Sequence, residues 1–194
     1  FNRLAGHEML RLLEDPEAAV SDKFTELCHD LISSNKLMEE AGGQFLTIFE
    51  SVDDEKQAHH YRELYDARQR IYRAVAGRYL EELTALYHHY EEEISGMTDL
   101  ASRVHDMKLR QVMNTCLVLL SSLDTPETQS LALRQFGRAE NSSEKLTAFS
   151  CYLNSSADDK MAVLLRFWKD SEGDLVSWEN FLATVALSDS ADLV

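Results

Sequence analysis

The sequence predicts an all-α protein: an irregular stack of antiparallel helix pairs, an armadillo- or HEAT-like α-solenoid, with one long central helix. Three observations predict it. The 194 residues include only two prolines and seven glycines, too few for the many turns of a β-sandwich or barrel. Helix-start signals recur along most of the chain, about every 15 to 20 residues beyond residue 100, which is the spacing of short helices joined by tight turns. Apolar residues return at three- and four-residue steps, the period of a helix face. Each amphipathic helix leaves a face that it cannot bury alone, and stacking in pairs satisfies it.

The elements follow in order. The first helix turns Leu4, Leu12 and Leu13 inward. Asp15-Pro16-Glu17 then offers an N-cap, a proline at the first helical position and an acid in the first turn, the arrangement that starts a helix. Gly42-Gly43 reads as a turn or helix end. From Asp53 to about Glu92 there is no proline, and Gly77 is the single break. Tyr61, Leu64, Tyr65, Arg68, Ile71, Tyr72, Val75, Tyr79, Leu83, Leu86, Tyr87 and Tyr90 mark one face of it. A long helix bent at Gly77 is expected, with two helices meeting there as the alternative. Tyrosines suit a packed core better than a coiled-coil seam, which favours Leu and Ile. Glu91-Glu92-Glu93 reads as a solvated helix end.

A helix from Ala101 to Leu123 places Val104, Val112, Met113, Cys116, Leu119, Leu120 and Leu123 on one stripe. Its C-terminal half is apolar nearly all round, so it is expected to be the most buried element. Asp124-Thr125-Pro126-Glu127 repeats the cap-proline-acid start. Asn141-Ser142-Ser143-Glu144 is a near capping box. Ser156-Ala157-Asp158-Asp159 and Gly173-Asp174 fit further caps. No clean internal repeat is present, so the array is expected to be irregular, a single domain over residues 1–194.

Charge and cysteine content restrict the partners. Nineteen Lys+Arg against 34 Asp+Glu give a net charge of -15, and such a surface repels nucleic acid and anionic membrane. Cys28, Cys116 and Cys151 are odd in number and far apart, which argues against a disulfide framework and for a reducing, cytoplasmic compartment. The glycosylation patterns at Asn141 and Asn154 stand where helix caps place Asn and Ser anyway. Apolar runs such as Cys116–Leu120 fall far short of the ~20 residues that span a bilayer. The chain opens on Phe1 without a basic and apolar leader and closes on Asp192-Leu193-Val194. It reads as a piece of a longer protein.

A search for chemistry finds no legible active site. His7-Glu8-Met9-Leu10-Arg11 approaches the His-Glu-x-x-His of zinc peptidases, in which histidines four apart share one metal and the Glu activates its water. Arg11 takes the place of the second histidine, and a guanidinium cannot ligate zinc. Glu26-Leu27-Cys28-His29 matches the Glu-x-x-His of di-metal bundles, which require a second copy and two more glutamates. His59-His60 and His88-His89 lie roughly 43 Å apart by helical rise, too far for one metal. Nearby acids such as Glu55 and Glu63 suggest surface pairs instead. Neither Gly-x-Ser-x-Gly nor a glycine-rich phosphate loop occurs. No catalytic, cofactor-binding or metal-binding residue is expected in this chain.

A family resemblance is carried by Arg134-Gln135-Phe136, Ala139-Glu140-Asn141 and Leu146-Thr147-Ala148. These resemble the Lys/Arg-Gln-aromatic, Ala-x-Asn-Met-Thr and Leu-Ala-Ala-Leu of the C-terminal helical domain of bacterial-type aminopeptidase N, a zinc-dependent alanyl aminopeptidase family. Trp168 and Trp178, ten apart and followed by Leu182-Ala183, resemble the family's paired tryptophans. Phe1-Asn2-Arg3 resembles its Phe-Asn-Arg-Trp, and Tyr79–Tyr90 looks like its long helix. Residues 134–187 carry most of the likeness, and residues 5–60 little. Leu4, Ser142-Ser143 and Glu179 depart from the pattern. The resemblance implies a parent that removes N-terminal residues from peptides. Its zinc ligands and substrate loop would precede this segment, and further helices would follow it. This segment would then be a non-catalytic cap, inactive alone, with the parent's catalytic domain as intramolecular partner. Self-association is expected from faces left uncovered. A helical-repeat interaction module without an enzymatic parent is the alternative.

Overall fold

The computed structural model describes residues 1–43, 46–49, 52 and 54–190. Among the described residues there are ten helices and no strand, so the all-α expectation holds. They fall in two compact units, Phe1–Ser122 and Leu123–Val194. Asp53, the expected start of the long helix, and Asp192–Val194 lie outside the described residues.

The first unit opens with α1 (Asn2–Glu14). Its inward face is Ala5, Gly6, Glu8, Met9 and Leu12, whereas Leu4 is exposed. The Asp15-Pro16-Glu17 string does not start a helix. Asp15 is instead the C-cap of α1, in extended backbone at φ -131°, because a following proline disfavours the helical region. Its carboxylate accepts the Glu17 N–H at 3.2 Å in a turn, and α2 (Asp22–Ile32) begins only after Ser21. Next, α3 (Asn35–Ala41) ends at Gly42, whose φ is 65°. Gly43 also has positive φ, at 71°. A Cβ on Gly42 would stand 2.1 Å from Gln111 Oε1, and one on Gly43 would stand 3.0 Å from Thr115 Oγ1. The glycine pair therefore ends the helix and lets the chain press against the helix that carries Gln111 and Thr115.

The long central helix resolves into two, α4 (Tyr61–Arg78) and α5 (Leu80–Glu93), which meet at Tyr79. Gly77 lies inside α4, and the break at Tyr79 uses neither glycine nor proline. It is held from α2. Arg78 Nη1 donates to Asp22 Oδ1 at 2.9 Å and to Thr25 Oγ1 at 2.8 Å. The His29 ring stacks on Tyr79 at 4.5 Å. Most of the predicted stripe is internal, including Leu64, Ile71, Tyr72, Val75, Leu83, Tyr87 and Tyr90, but Tyr61 is exposed. The next helix, α6 (Leu100–Ser121), buries Asp106, Leu109, Val112, Met113, Cys116, Leu117, Leu119 and Leu120. It packs against α3, α4 and α5. Val104, near its start, is exposed rather than on the buried stripe.

In the second unit, α7 (Pro126–Arg138) starts as the sequence predicts, with Pro126 at the first position. Thr125 is its N-cap, closed with Thr128 in a reciprocal capping box. Asp124 takes the left-handed conformation, φ 51°, which Asp tolerates better than most residues. Its carboxylate accepts the Ser156 N–H at 3.0 Å and Gln129 Nε2 at 2.9 Å. The N-cap of α8 (Ser142–Leu153) is Asn141, which accepts the Glu144 N–H at 3.0 Å. α9 (Lys160–Asp170) and α10 (Leu175–Ala186) follow. α8 packs against α7, α9 and α10. The core is aromatic: Phe149 lies 5.9 Å from Phe136, 4.9 Å from Phe167 and 5.9 Å from Phe181, centroid to centroid.

Candidate functional site

The residues that most resembled a zinc motif are structural. Glu8, nearly buried, accepts Arg11 Nη2 at 2.6 Å, Arg11 Nε at 3.2 Å and the Ser21 N–H at 2.7 Å. It joins α1 to the start of α2. Burial raises the cost of its charge, but the Arg11 and Ser21 hydrogen bonds and the Arg11 charge outweigh this. The carboxyl is held below its ordinary value. Both of its oxygens are engaged in holding α1 to the start of α2, and His7 is exposed beside it.

The Glu26/His29 pair diverges. Glu26 Oε1 meets Arg78 Nη2 at 3.5 Å, and His29 Nε2 meets Glu82 Oε2 at 2.9 Å. His60 Nδ1 lies 3.7 Å from Glu63, and His88 Nδ1 lies 2.9 Å from Glu91. These are surface pairs, although Glu63 meets His60 rather than His59. Among the described residues, no three His, Cys, Asp or Glu side chains are grouped so as to hold a metal ion. The described residues therefore supply no donor set for zinc.

Two of the three cysteines are buried and unreactive. Burial pushes the thiols of Cys28 and Cys116 up to about 12, and it is the thiolate that reacts. An open recess of about 390 Å³ lies in the first unit between α2 and α5. His29, Glu82 and His89 line it above Ile32 and Leu86. His29 Nε2 meets both Ser33 Oγ at 3.2 Å and Glu82 Oε2 at 2.9 Å; a catalytic relay takes its hydroxyl and its carboxylate on opposite ring nitrogens, so this arrangement does not activate Ser33.

Sequence reasoning missed Asp106. It is buried on α6, and its carboxylate accepts the Ser95 N–H at 3.1 Å, the Gly96 N–H at 3.0 Å and the Ser95 hydroxyl at 3.1 Å. Burial disfavours its charge, yet these donors and Arg110 prevail, and its carboxyl also sits below the ordinary value. It anchors the α5–α6 loop rather than performing chemistry.

The residues that carry the family resemblance all have packing roles. Gln135, fully buried, donates from Nε2 to the Glu144 carbonyl at 3.1 Å. Phe136 joins the aromatic core, and Asn141 caps α8. Trp168 and Trp178 lie across the α9–α10 turn with ring centroids 6.5 Å apart. Ten residues is the distance along the chain that brings those two positions together. A family profile described as DUF3458_C, a domain of unknown function with ARM repeats, matches residues 1–194. The chain belongs to that family. Its fold recurs in a crystal structure of Legionella pneumophila aminopeptidase A in complex with aspartic acid, with a TM-score of 0.82 and 21% identity. That likeness covers 100% of this chain and 23% of the other. No curated protein sequence matches significantly. The DUF3458_C match accords with the helical-repeat architecture and with the likeness to the C-terminal region of aminopeptidases drawn from the sequence.

Proposed function

We propose that this DUF3458_C domain is the non-catalytic helical cap of a zinc-dependent, aminopeptidase N-like enzyme that removes N-terminal residues from peptides. The observation that carries the reading is the match of the family profile over the whole chain. The shared fold with a segment of an aminopeptidase supports it. In this reading residues 1–194 are one domain of a larger cytoplasmic protein, and its intramolecular partner is the catalytic domain. Zinc and the groups that activate water reside there. The cap contributes walls: rigid helix pairs restrict access to the site and admit peptides while excluding folded proteins. Its acidity favours substrates with a free, cationic amino terminus.

The parent reading frame is the direct test. It is expected to encode His-Glu-x-x-His upstream of this segment. The full-length product is expected to cleave aminoacyl anilides, to lose that activity on chelation and to regain it with zinc. The isolated domain is expected to cleave none. A parent without the motif, or a chelator-resistant activity in residues 1–194 alone, overturns the reading.

A further inference from the structure

The recess between α2 and α5 has no part in that reading. Its floor is apolar, formed by the buried Ile32 and the half-buried Leu86. Its volume of about 390 Å³ falls within the ~300–1,000 Å³ of small-molecule sites. All its walls come from α2, the start of α3 and α5, inside the first unit. They are held from within: Arg78 grips Asp22 and Thr25 on α2, and His29 reaches Glu82 on α5. The recess is therefore shaped by helices that this chain supplies whole.

The polar groups around that floor are unspent. Glu82 engages His29 through Oε2, and among the described residues nothing bonds Glu82 Oε1 or the Asn35 side-chain amide. Facing a carboxylate, His29 Nε2 carries the proton of that contact. The Ser33 hydroxyl, 3.2 Å from the same nitrogen, thus keeps its own proton to donate. The two contacts that share Nε2 put Ser33 Oγ and Glu82 Oε2 within about 6 Å of each other. An ammonium and a carbonyl borne on one carbon bridge such a span with a hydrogen bond at each end. The recess so offers one charged acceptor, two neutral donors and an apolar floor. A ligand that answers all three has an α-ammonium group, a neighbouring carbonyl or carboxylate, and an aliphatic side chain. The net charge of -15 also favours a cationic head. We propose that this recess binds the ammonium end of an aliphatic α-amino acid, free or at the amino terminus of a peptide. Glu82 Oε1 accepts from the ammonium in a charge-assisted bond, Ser33 and Asn35 donate to the carbonyl, and the side chain rests on Ile32 and Leu86. The site goes beyond the cap role, because it needs no group from a catalytic domain.

Amide NMR of isotope-labelled residues 1–194 tests this by titration with leucine, leucinamide and isocaproic acid, which lacks the ammonium group. Leucine or leucinamide is expected to bind with a Kd of about 1 mM and to shift amides of α2, α3 and α5. Isocaproic acid is expected to bind at least about tenfold more weakly, the loss of a charge-assisted bond. Tighter binding of leucine assigns the site to free amino acids; equal or tighter binding of leucinamide assigns it to peptide termini. Glu82→Gln is expected to weaken binding about tenfold at unchanged helicity by circular dichroism. Its amide oxygen still accepts the His29 N–H, so the recess keeps its shape while the charge is gone. The proposal is overturned by the absence of saturable shifts at about 10 mM leucine and leucinamide, or by shifts centred outside these helices. Isocaproic acid as tight as leucine and leucinamide, or undiminished binding to Glu82→Gln, overturns it equally. The aminopeptidase reading is untouched by any of these outcomes, as its own test lies in the parent reading frame.

Discussion

Replacing Asp106 by Asn keeps the side-chain shape and removes its charge. The Ser95 and Gly96 N–H groups and the Ser95 hydroxyl now face one neutral carbonyl oxygen, and the new amide points its own donors toward them. A hydrogen bond to a charged group contributes about 1.5–3 kcal/mol, and a neutral one about 1. Ser95 and Gly96 are themselves exposed, so water rescues part of the loss. The expected cost is therefore about 2 kcal/mol, at the low end for three donors. In a chain of this length that lowers the melting temperature by about 4–8 °C. The effect has a pH signature. The folded-state pKa of Asp106 is depressed, so its stabilisation is present above the unfolded carboxylate value of about 3.9 and is lost as pH falls through the lower folded value. Urea unfolding of the first unit, followed by tyrosine fluorescence, is to be compared at pH 7 and pH 3. The difference between native and Asp106→Asn protein is expected at pH 7 and to shrink at pH 3. A variant within 0.5 kcal/mol of native at pH 7 refutes the anchoring role.

Glu8→Gln is expected to cost about 1–2 kcal/mol through its lost charge-assisted bonds to Arg11 and Ser21, with metal content by mass spectrometry unchanged; a loss of bound zinc would contradict the structural role. Phe149→Ala is expected to cost about 3–5 kcal/mol, read as early melting of the second unit, because Phe149 touches three other core rings; a cost below 1 kcal/mol is incompatible with that core. Gly42→Ala is expected to lose about 1–2 kcal/mol in thermal unfolding from its positive φ, and more if the Gln111 side chain cannot swing away from the new Cβ; a neutral result contradicts the left-handed helix end.

The helices were legible because caps and apolar period act locally. Thr125-Pro126, Asn141 and Asp174 satisfy amides within three residues of themselves, so the sequence alone shows what they do. Asp15-Pro16 shows the limit of the same signal. A dipeptide that suits the start of one helix equally suits the end of another, and here it closes α1 while Ser21, bonded to Glu8, precedes α2. The break at Tyr79 was invisible for a similar reason: its holders, Arg78 with Asp22 and Thr25, and His29 on Tyr79, join residues about fifty positions apart. Asp106 looked like an ordinary polar residue on an amphipathic helix until the loop from α5 folded over it. Where residue type alone decides, as with Arg11 in the place of a histidine, the chemistry of a candidate site is legible without the fold. The His29–Glu82 contact, which pairs distant positions, had no local sign.

The joint at Tyr79 makes curvature a matter of side chains. Where a kink is built from proline, its angle is set by the covalent ring. Here the bend holds neither proline nor glycine, and the direction in which α5 departs from α4 is set by the grip of Arg78 on Asp22 and Thr25 and by His29 of α2 stacked on Tyr79. Drift at Asp22, Thr25 or His29 can thus re-aim α5 without touching the bend. A joint of this kind can be retuned one neighbour at a time.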